Sequence, residues 1–361
     1  MNKIILKQMG MNDRIIKAAG EYSGLYAGRV VSQYKDSYRV MTESAALMAE
    51  VSGKLRHEAE GPADFPAVGD FVMLDRESDA GGHAIIHHVL PRKSAFIRKA
   101  AGTAQAGQVV ASNIDTVFIC MAMNKDFNLR RLERYLAIGW DSGAVPVVVL
   151  TKSDLYGHPA ERLAEAQSVA IGADVIMTTT QGGGGFEAAM PYMRPGQTVA
   201  FIGSSGVGKS TLINGLAGEE MFATGGLRND DKGRHTTTRR ELIKLPDGAM
   251  VIDTPGMREL GVESADLDRA FADIEALAED CRFRDCTHTT EPGCAVLRAV
   301  EDGALGADRF ASYQKLKKEA GYEGLNSRQI EAKKLERMFE SVGGMKNARR
   351  FMKEKDKRRK R

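Results

Sequence analysis

The residues of this chain best suited to chemistry form a glycine-rich loop that could hold phosphates. Residues 203–210 read GSSGVGKS and match the pattern G-x-x-x-x-G-K-[ST], with a strand-like run before them and a helix-like run after. Backbone N–H groups would surround the phosphates, Lys209 would reach the β- and γ-phosphates, and the Ser210 hydroxyl would bind Mg²⁺. The expected phosphate contacts are Gly203, Ser204, Ser205, Gly206, Val207, Gly208, Lys209, Ser210 and Thr211. A purely structural glycine turn is the alternative, which the flanking strand and helix disfavour.

A second group of polar residues, TKSD at 151–154, could read a purine base. The Asp154 carboxylate can accept hydrogen bonds from the N1–H and amino groups of guanine, whereas adenine would leave it unpaired, which disfavours an ATPase. The Lys152 stem can pack over the base plane. The proposed base contacts are Thr151, Lys152, Ser153 and Asp154. TKSD alone is also an ordinary helix N-cap sequence, but the apolar run VVVL before it favours nucleotide binding.

The third motif is VIDTPG, downstream of the phosphate loop. Asp253 ends an apolar strand where Mg²⁺ would be held, and the Gly256 N–H could approach the γ-phosphate. Ordinary GTPases place the base-reading motif last, but here it comes first. The order of the motifs therefore predicts a circularly permuted GTPase. A second base-contacting loop is expected at Thr179 and Thr180.

The catalytic residues are expected between the phosphate loop and Asp253. The polar segment GGLRNDDKGRHTTTRREL occupies 225–242, and Thr237 is the threonine expected to complete the Mg²⁺ shell and to act with Lys209 in catalysis. Met257 follows the DTPG motif where many GTPases carry a glutamine that orients the attacking water. Hydrolysis should therefore be slow until a partner completes the site. His235 is the candidate to replace that glutamine, and the alternative that it is only a polar loop residue stays open.

Three cysteines and one histidine, Cys281, Cys286, His288 and Cys294, have the spacing C-x4-C-x-H-x5-C. Three thiolates and one imidazole can close a tetrahedral Zn²⁺ shell. Independent buried cysteines are the alternative, and the spacing does not separate zinc from iron. Cys120 lies in the apolar run TVFICMAM and is expected to be a buried small hydrophobe.

The elements that must position these residues divide the chain into parts. Short β-rich runs between Gly, Pro and Asp predict a small OB-type barrel near the N-terminus, a fold that often binds oligonucleotides. Strand-like and helix-like runs then alternate, which indicates a parallel α/β sheet, and the remainder is helical and charged. The expected parts are an RNA-binding OB fold (1–92), a linker (93–112), the permuted GTPase domain (113–262), a helical zinc-binding domain (263–345) and a basic tail (346–361).

Composition and charge limit the class of protein. The chain has 361 residues, 43% of them hydrophobic, with a mean hydropathy of −0.30 and a net charge of +3. No apolar run is long enough for a membrane span, and the start lacks the apolar core of a secretory signal, so a cytoplasmic protein is expected. Residues 346–361 hold ten Lys or Arg residues against two acidic ones. Such a block either stays solvated or binds nucleic acid.

Taken together, TKSD, GSSGVGKST, GRHTTT, DTPGM, the cysteine spacing and the basic tail closely resemble the RsgA (YjeQ/YloQ) family over nearly the whole chain. Thr151 in place of Asn and the QGGGG stretch at 181–185 depart from the family pattern. The resemblance implies an OB fold, a permuted GTPase domain and a C-terminal zinc domain. It also implies late maturation of the small ribosomal subunit, with GTP hydrolysis stimulated by the subunit and release after hydrolysis. In the family, the histidine of GRHTTT has been proposed to act in catalysis.

The resulting expectation is a monomeric GTPase that binds the small ribosomal subunit and its rRNA, with GTP, Mg²⁺ and one structural Zn²⁺. Two alternatives stay open. A permuted GTPase could act on the large subunit instead, although the barrel and the cysteine cluster argue against this. The chain could also be a nucleotide-regulated RNA-binding module with negligible turnover, which Met257 leaves possible.

Overall fold

The computed structural model describes residues 4–79, 81–98, 107–179, 185–218, 240–253 and 266–321. Two short helices begin the chain, α1 (Ile4–Gln8) and α2 (Asp13–Ala19), and the latter is capped by the Asn12 side chain. Five strands follow, with helix α3 (Gly53–Glu58) after the third. The strands are β1 (Tyr26–Gln33), β2 (Tyr38–Met41), β3 (Ala46–Val51), β4 (Phe71–Leu74) and β5 (Ala84–Val89).

These five strands close into a barrel. They pair in the order β1–β2–β3–β5–β4, and β4 returns to β1; only the β3–β5 pair is parallel. Residues alternate between the interior and the surface along β2 and β3, and Val30, Val40 and Ile86 are fully buried in the barrel core. The OB-type barrel predicted from the sequence is confirmed.

A second unit has a mostly parallel sheet. Its strands are β8 (Thr116–Ala122), β9 (Val145–Thr151), β10 (Asp174–Met177), β11 (Thr198–Ile202), β12 (Arg240–Lys244) and β13 (Met250–Asp253). Its helices are α4 (Leu129–Asp141), α5 (Pro159–Val169) and α6 (Lys209–Ala217). The sheet order is β10–β9–β8–β11–β13–β12, and only β12 is antiparallel to its neighbour. All seven residues of β8 are buried, as expected for a central strand covered on both faces.

Between these units, the segment 93–112 that was expected to be a linker contains two paired strands. They are β6 (Ala95–Arg98) and β7 (Gln108–Ser112), and they form a separate antiparallel pair. Val109 and Val110 are buried, and the Ser112 hydroxyl donates a hydrogen bond to the buried Asp70 of the barrel region. The described residues of this segment, 93–98 and 107–112, therefore belong to packed structure, because their apolar side chains contribute to a core between the two units.

Barrel and parallel sheet join into one eleven-stranded sheet, because β1 pairs with β12 at Ser32–Glu241 and Gln33–Arg240. Arg29 of β1 lies beside this joint and is only 1% exposed. Its guanidinium donates to the Thr198 hydroxyl at 2.9 Å and to the Gly69 carbonyl at 3.2 Å. Burial lowers the pKa of Arg29 to about 10, so the side chain still carries its charge at neutral pH.

The last described part is helical, with α7 (Leu267–Ala270), α8 (Ala272–Ala278), α9 (Ala295–Glu301) and α10 (Ala307–Ala320). It packs against α4 of the α/β unit through a buried charge cluster. Arg309 donates to the fully buried Glu133 at 2.9 Å and to Asp273 at 2.6 Å. Within the described ranges, no helix has the length and apolar character needed to cross a membrane.

Candidate nucleotide site

The glycine-rich loop leaves β11 and enters α6, as its sequence predicts. Gly203, Gly206 and Gly208 have φ values of 145°, 76° and 99°, a region that glycine adopts without strain. Gly203 also passes so close to β8 that a Cβ there would lie 2.4 Å from the Cys120 carbonyl oxygen. Ser205 and Gly206 face solvent. The loop is therefore preformed, with its exposed centre open to a ligand.

The Lys209 amino group lies across the start of this loop. Its Nζ donates to the Gly203 carbonyl at 2.8 Å and to the Ser204 carbonyl at 2.7 Å. A flexible ammonium group held there can turn to phosphate oxygens when they arrive, since it needs only to exchange one set of acceptors for another. Ser210 follows in the first turn of α6.

A cleft of about 490 Å³ adjoins the loop, and three residues of the TKSD motif are part of its lining. Its lining is Thr151, Lys152, Asp154, Leu155, Thr178, Thr179, Phe186, Gly208, Thr211 and Leu212. The two motifs are far apart in sequence, but the carboxyl ends of β9 and β11 bring them to the same edge of the sheet, where open α/β sheets bind ligands.

Direct contacts join the TKSD motif to the glycine-rich loop. The Lys152 ammonium donates to the Gly206 carbonyl at 2.7 Å, and the Thr151 hydroxyl donates to the Val207 carbonyl. Lys152 has a φ of 57°, unusual for a residue other than glycine, which is a local strain of the kind found at binding sites. Thr151, which stands in place of the usual asparagine, is buried and connects its strand to the loop through this hydrogen bond.

Asp154 is exposed at the mouth of the cleft and is oriented by Thr179, whose hydroxyl donates to Asp154 Oδ1 at 2.7 Å. Ser153 is held by the Thr178 carbonyl, which accepts from the Ser153 hydroxyl at 3.2 Å. One carboxylate oxygen thus has a fixed partner, and the group faces the cleft with a set direction. This arrangement suits recognition of paired donors such as those of guanine.

Asp253 ends β13, which runs parallel to β11 with Ala200 opposite Ile252. Its backbone therefore lies at the same edge of the sheet as the phosphate loop. Of the other predicted residues, Gly256, Thr237 and His235 lie outside the described residues. The same holds for Thr180, Met257 and the basic tail.

One residue of this region was missed by the sequence reasoning. Arg131, in the first turn of α4, donates from Nη1 to the Ser204 hydroxyl at 2.7 Å. A signal existed in the sequence, because Asn128 is a helix cap that places Arg131 at the start of the helix following β8. Arg131 and Ser204 come together because β8 and β11 are neighbours in the sheet, and the phosphate-loop motif does not predict that pairing.

The four predicted metal ligands come together, with all their ligand atoms within 4.8 Å of one another. The Cys281 and Cys294 sulfur atoms are 3.8 Å apart, and His288 Nδ1 lies 3.7 Å and 3.4 Å from them. A tetrahedral shell with Zn–S bonds of about 2.3 Å separates its sulfur atoms by about 3.8 Å, so the geometry fits such an ion. Burial lowers the pKa of His288, which favours the neutral imidazole that a metal needs.

Cys120 is fully buried between strands, as expected, and is remote from this cluster in sequence. Burial raises the pKa of its thiol to about 12, so the thiol stays protonated and inert.

Comparison with known proteins agrees with this geometry. The RsgA GTPase family profile matches residues 89–263. The small ribosomal subunit biogenesis GTPase RsgA 2 of Lactiplantibacillus plantarum is 52% identical over 344 residues, covering 95% of this chain and 97% of the relative. The crystal structure of YjeQ from Thermotoga maritima has a TM-score of 0.61 and 26% identity, covering 82% of this chain and 98% of that one.

The fold is also that of YloQ, described as a circularly permuted GTPase, with a TM-score of 0.58 and 23% identity over 83% of this chain and 96% of that one. The motif order, the barrel, the cysteine cluster and an identity that extends over nearly the full length lead to one assignment. The chain belongs to the RsgA family of circularly permuted GTPases.

Proposed function

We propose that this GTPase binds the small ribosomal subunit, assists its late maturation and hydrolyses GTP to GDP and phosphate to trigger its own release. The observation that supports the proposal is that Asp154 and the end of the phosphate loop line the same cleft. This arrangement places a residue suited to guanine recognition beside a site suited to a triphosphate. The choice of the small subunit is supported by the name of the Lactiplantibacillus plantarum relative.

In this proposal, GTP lies with its base against Lys152 and Asp154 and its phosphates along the 203–211 loop. The Mg²⁺ that neutralises the phosphate charge would be held by Ser210, Thr237 and Asp253. Lys209 stabilises charge on the transferring phosphoryl group, and His235 orients the attacking water. Met257 cannot do so, and the slow reaction that results is accelerated when the subunit completes the site.

The remaining parts supply the ribosome contacts. The barrel and the basic tail at 346–361 offer surfaces for rRNA. The four-ligand cluster at 281–294 holds one structural Zn²⁺, which stabilises the helical part as a third surface that contacts the ribosome. A monomer acting in the cytoplasm suffices for this. Asp253 closes the last sheet strand of the described residues, and the DTPG motif that begins there is followed in sequence by the zinc-binding part. Because Gly256 of this motif would contact the γ-phosphate, we infer a GTP-dependent clamp on rRNA.

Phosphate release tests the proposal, with purified small subunits, large subunits or neither. Strong stimulation by small subunits alone is expected. Stimulation by large subunits would instead identify a large-subunit factor, and negligible turnover under all three conditions would leave a nucleotide-regulated RNA-binding module. The clamp has a separate test in the distances between probes on the barrel and on α10. Equal distances with GDP and with a GTP analogue, on and off the subunit, would refute it.

A further inference from the structure

Arg131 places a positive charge on the phosphate loop from outside the three nucleotide motifs. The side chain is half-buried, and its Nη1 lies 2.7 Å from the Ser204 hydroxyl oxygen. Among the described residues, no carboxylate forms an ion pair with it, unlike its neighbours Arg130 and Arg134, which pair with Glu133 and Glu319. A partly desolvated guanidinium without an acidic partner beside a phosphate loop is suited to a bound anion.

The helix that carries Arg131 is held firmly. Leu132 and Leu136 are buried against the sheet, and Glu133 is fully buried between Arg130 and Arg309. Asn128 fixes the first turn by accepting from the Arg131 N–H at 3.0 Å. The guanidinium is therefore presented to the loop from a rigid element, which reduces the entropy cost of holding it there.

Ser204 lies at the end of the loop away from the base. The base cleft is lined by Gly208, Thr211 and Leu212 at the helix end of the loop, but Ser204 is not part of its lining. A nucleotide with its base in that cleft and its phosphates along the loop directs its terminal phosphate toward Ser204. Two cations meet at this residue, because Lys209 also contacts its carbonyl oxygen at 2.7 Å.

We propose that Arg131 is a specificity-determining residue that makes the site prefer GTP over GDP. Its guanidinium and the Lys209 ammonium repel each other in the free protein. Bound GTP relieves this repulsion more than bound GDP does, because its γ-phosphate adds negative charge beside the two cations. The inference rests on the nucleotide site proposed above and assigns its terminal-phosphate selectivity to a residue of α4.

The test is equilibrium binding of GDP and of a non-hydrolysable GTP analogue to the full chain with Mg²⁺. Arg131→Gln keeps much of the side chain but removes the charge, and it should weaken analogue binding about tenfold while changing GDP binding less than about threefold. Arg131→Lys keeps the charge and should give an intermediate preference. Arg134→Gln is the matched control, because Arg134 lies on the same helix, pairs with Glu319 and should leave the preference unchanged.

Equal weakening of both nucleotides by Arg131→Gln would overturn the inference, since it would show that Arg131 only shapes the loop. No weakening of either would overturn it as well. If Arg131→Gln does not fold, Arg131→Met, which also removes the charge, decides by the same ratio, and an unchanged GTP-to-GDP preference there counts against the inference. Failure of the unaltered chain to bind either nucleotide would refute the nucleotide site itself, which is a distinct result.

Discussion

At the scale of single residues, the proposed guanine selectivity depends on Asp154. Asp154→Asn exchanges an acceptor oxygen for an amide donor, which suits the carbonyl that xanthine carries in place of the guanine amino group. We expect GTP affinity to fall by about 10- to 100-fold, the value of one or two hydrogen bonds to a charged group, and XTP affinity to rise. Competition binding of GTP and XTP measures both. Unchanged GTP affinity would refute the base-reading role.

Gly203 is the loop residue least able to accept a side chain. Gly203→Ala would bring a Cβ to 2.4 Å from the Cys120 carbonyl oxygen and would impose a φ of 145° on an L-residue. We expect a loss of about 2–4 kcal/mol in the free energy of unfolding and loss of GTP binding. Gly218→Ala is the control, because its φ of 71° is strained but nothing lies within 4 Å of the added Cβ. It should cost about 1 kcal/mol and leave GTP binding intact. Equal stabilities of the two variants in denaturant unfolding would contradict this account.

Among single residues, those that belong to short contiguous motifs were the most predictable from the sequence. The loop at 203–211 and TKSD are local patterns, so their strand and helix contexts could be predicted. Arg131 could not, because its role depends on the pairing of β8 with β11, which sets one helix beside a loop 73 positions further along the chain. Contacts of that kind require the three-dimensional arrangement.

At the scale of elements, the cysteine cluster should hold the short helices α8 and α9 in place. Cys294 caps α9, since its sulfur accepts from the Leu297 N–H at 3.4 Å, and Cys281 lies just beyond α8. We expect one metal ion per chain by elemental mass spectrometry, and Cys286→Ser should lose it and lower the melting temperature. Cys120→Ala should keep the ion. The same measurement separates zinc from iron, and a metal-free native chain would refute the site.

The elements also show where sequence patterns mislead. The Gly- and Ala-rich stretch within 93–112 predicted a linker, yet Ala95–Arg98 and Gln108–Ser112 pair as strands. The two strands pair with each other and contact the buried Asp70. They are therefore stabilised by packing between two units, and their sequence contains no long apolar run that would have predicted them. By contrast, strands β12 and β13 were predictable, because the residues Pro246, Asp247 and Gly248 between them are a strong local signal for a turn.

At the scale of the whole molecule, Arg29 joins the barrel to the α/β unit. Arg29→Met would leave the Gly69 carbonyl and the Thr198 hydroxyl without their donor inside a buried interface. We expect a loss of about 2–3 kcal/mol in the free energy of unfolding, because buried acceptors lose both water and partner. The exposed Arg56 of α3 provides the control, and Arg56→Met should change stability by less than about 0.5 kcal/mol. Equal thermal stability of the Arg29 and Arg56 variants would contradict the role of Arg29.

The three-part order of the fold was predictable because each part has its own pattern of strands, helices or cysteines. The joining of barrel and sheet through β1 and β12 was not, because a barrel strand gives no sign in its sequence of a partner more than 200 positions away. The hydrophobic pattern fixes which face of a strand is buried, but it does not choose the neighbour.

Arg29 also has a consequence for the order in which the chain is made. Five barrel strands can close as soon as residues up to Val89 have left the ribosome that synthesises them, yet Thr198 and Met250, which contact Arg29, follow it by 169 and 221 positions. During that interval the guanidinium can keep its bond to the Gly69 carbonyl but lacks the Thr198 hydroxyl, so its side facing the later α/β unit is open to water. Domains that fold in sequence during synthesis expose the surfaces that are joined later, and a charged side chain favours solvation of such a surface. We therefore expect the arginine that later joins the two units first to keep the unfinished joint of the barrel solvated.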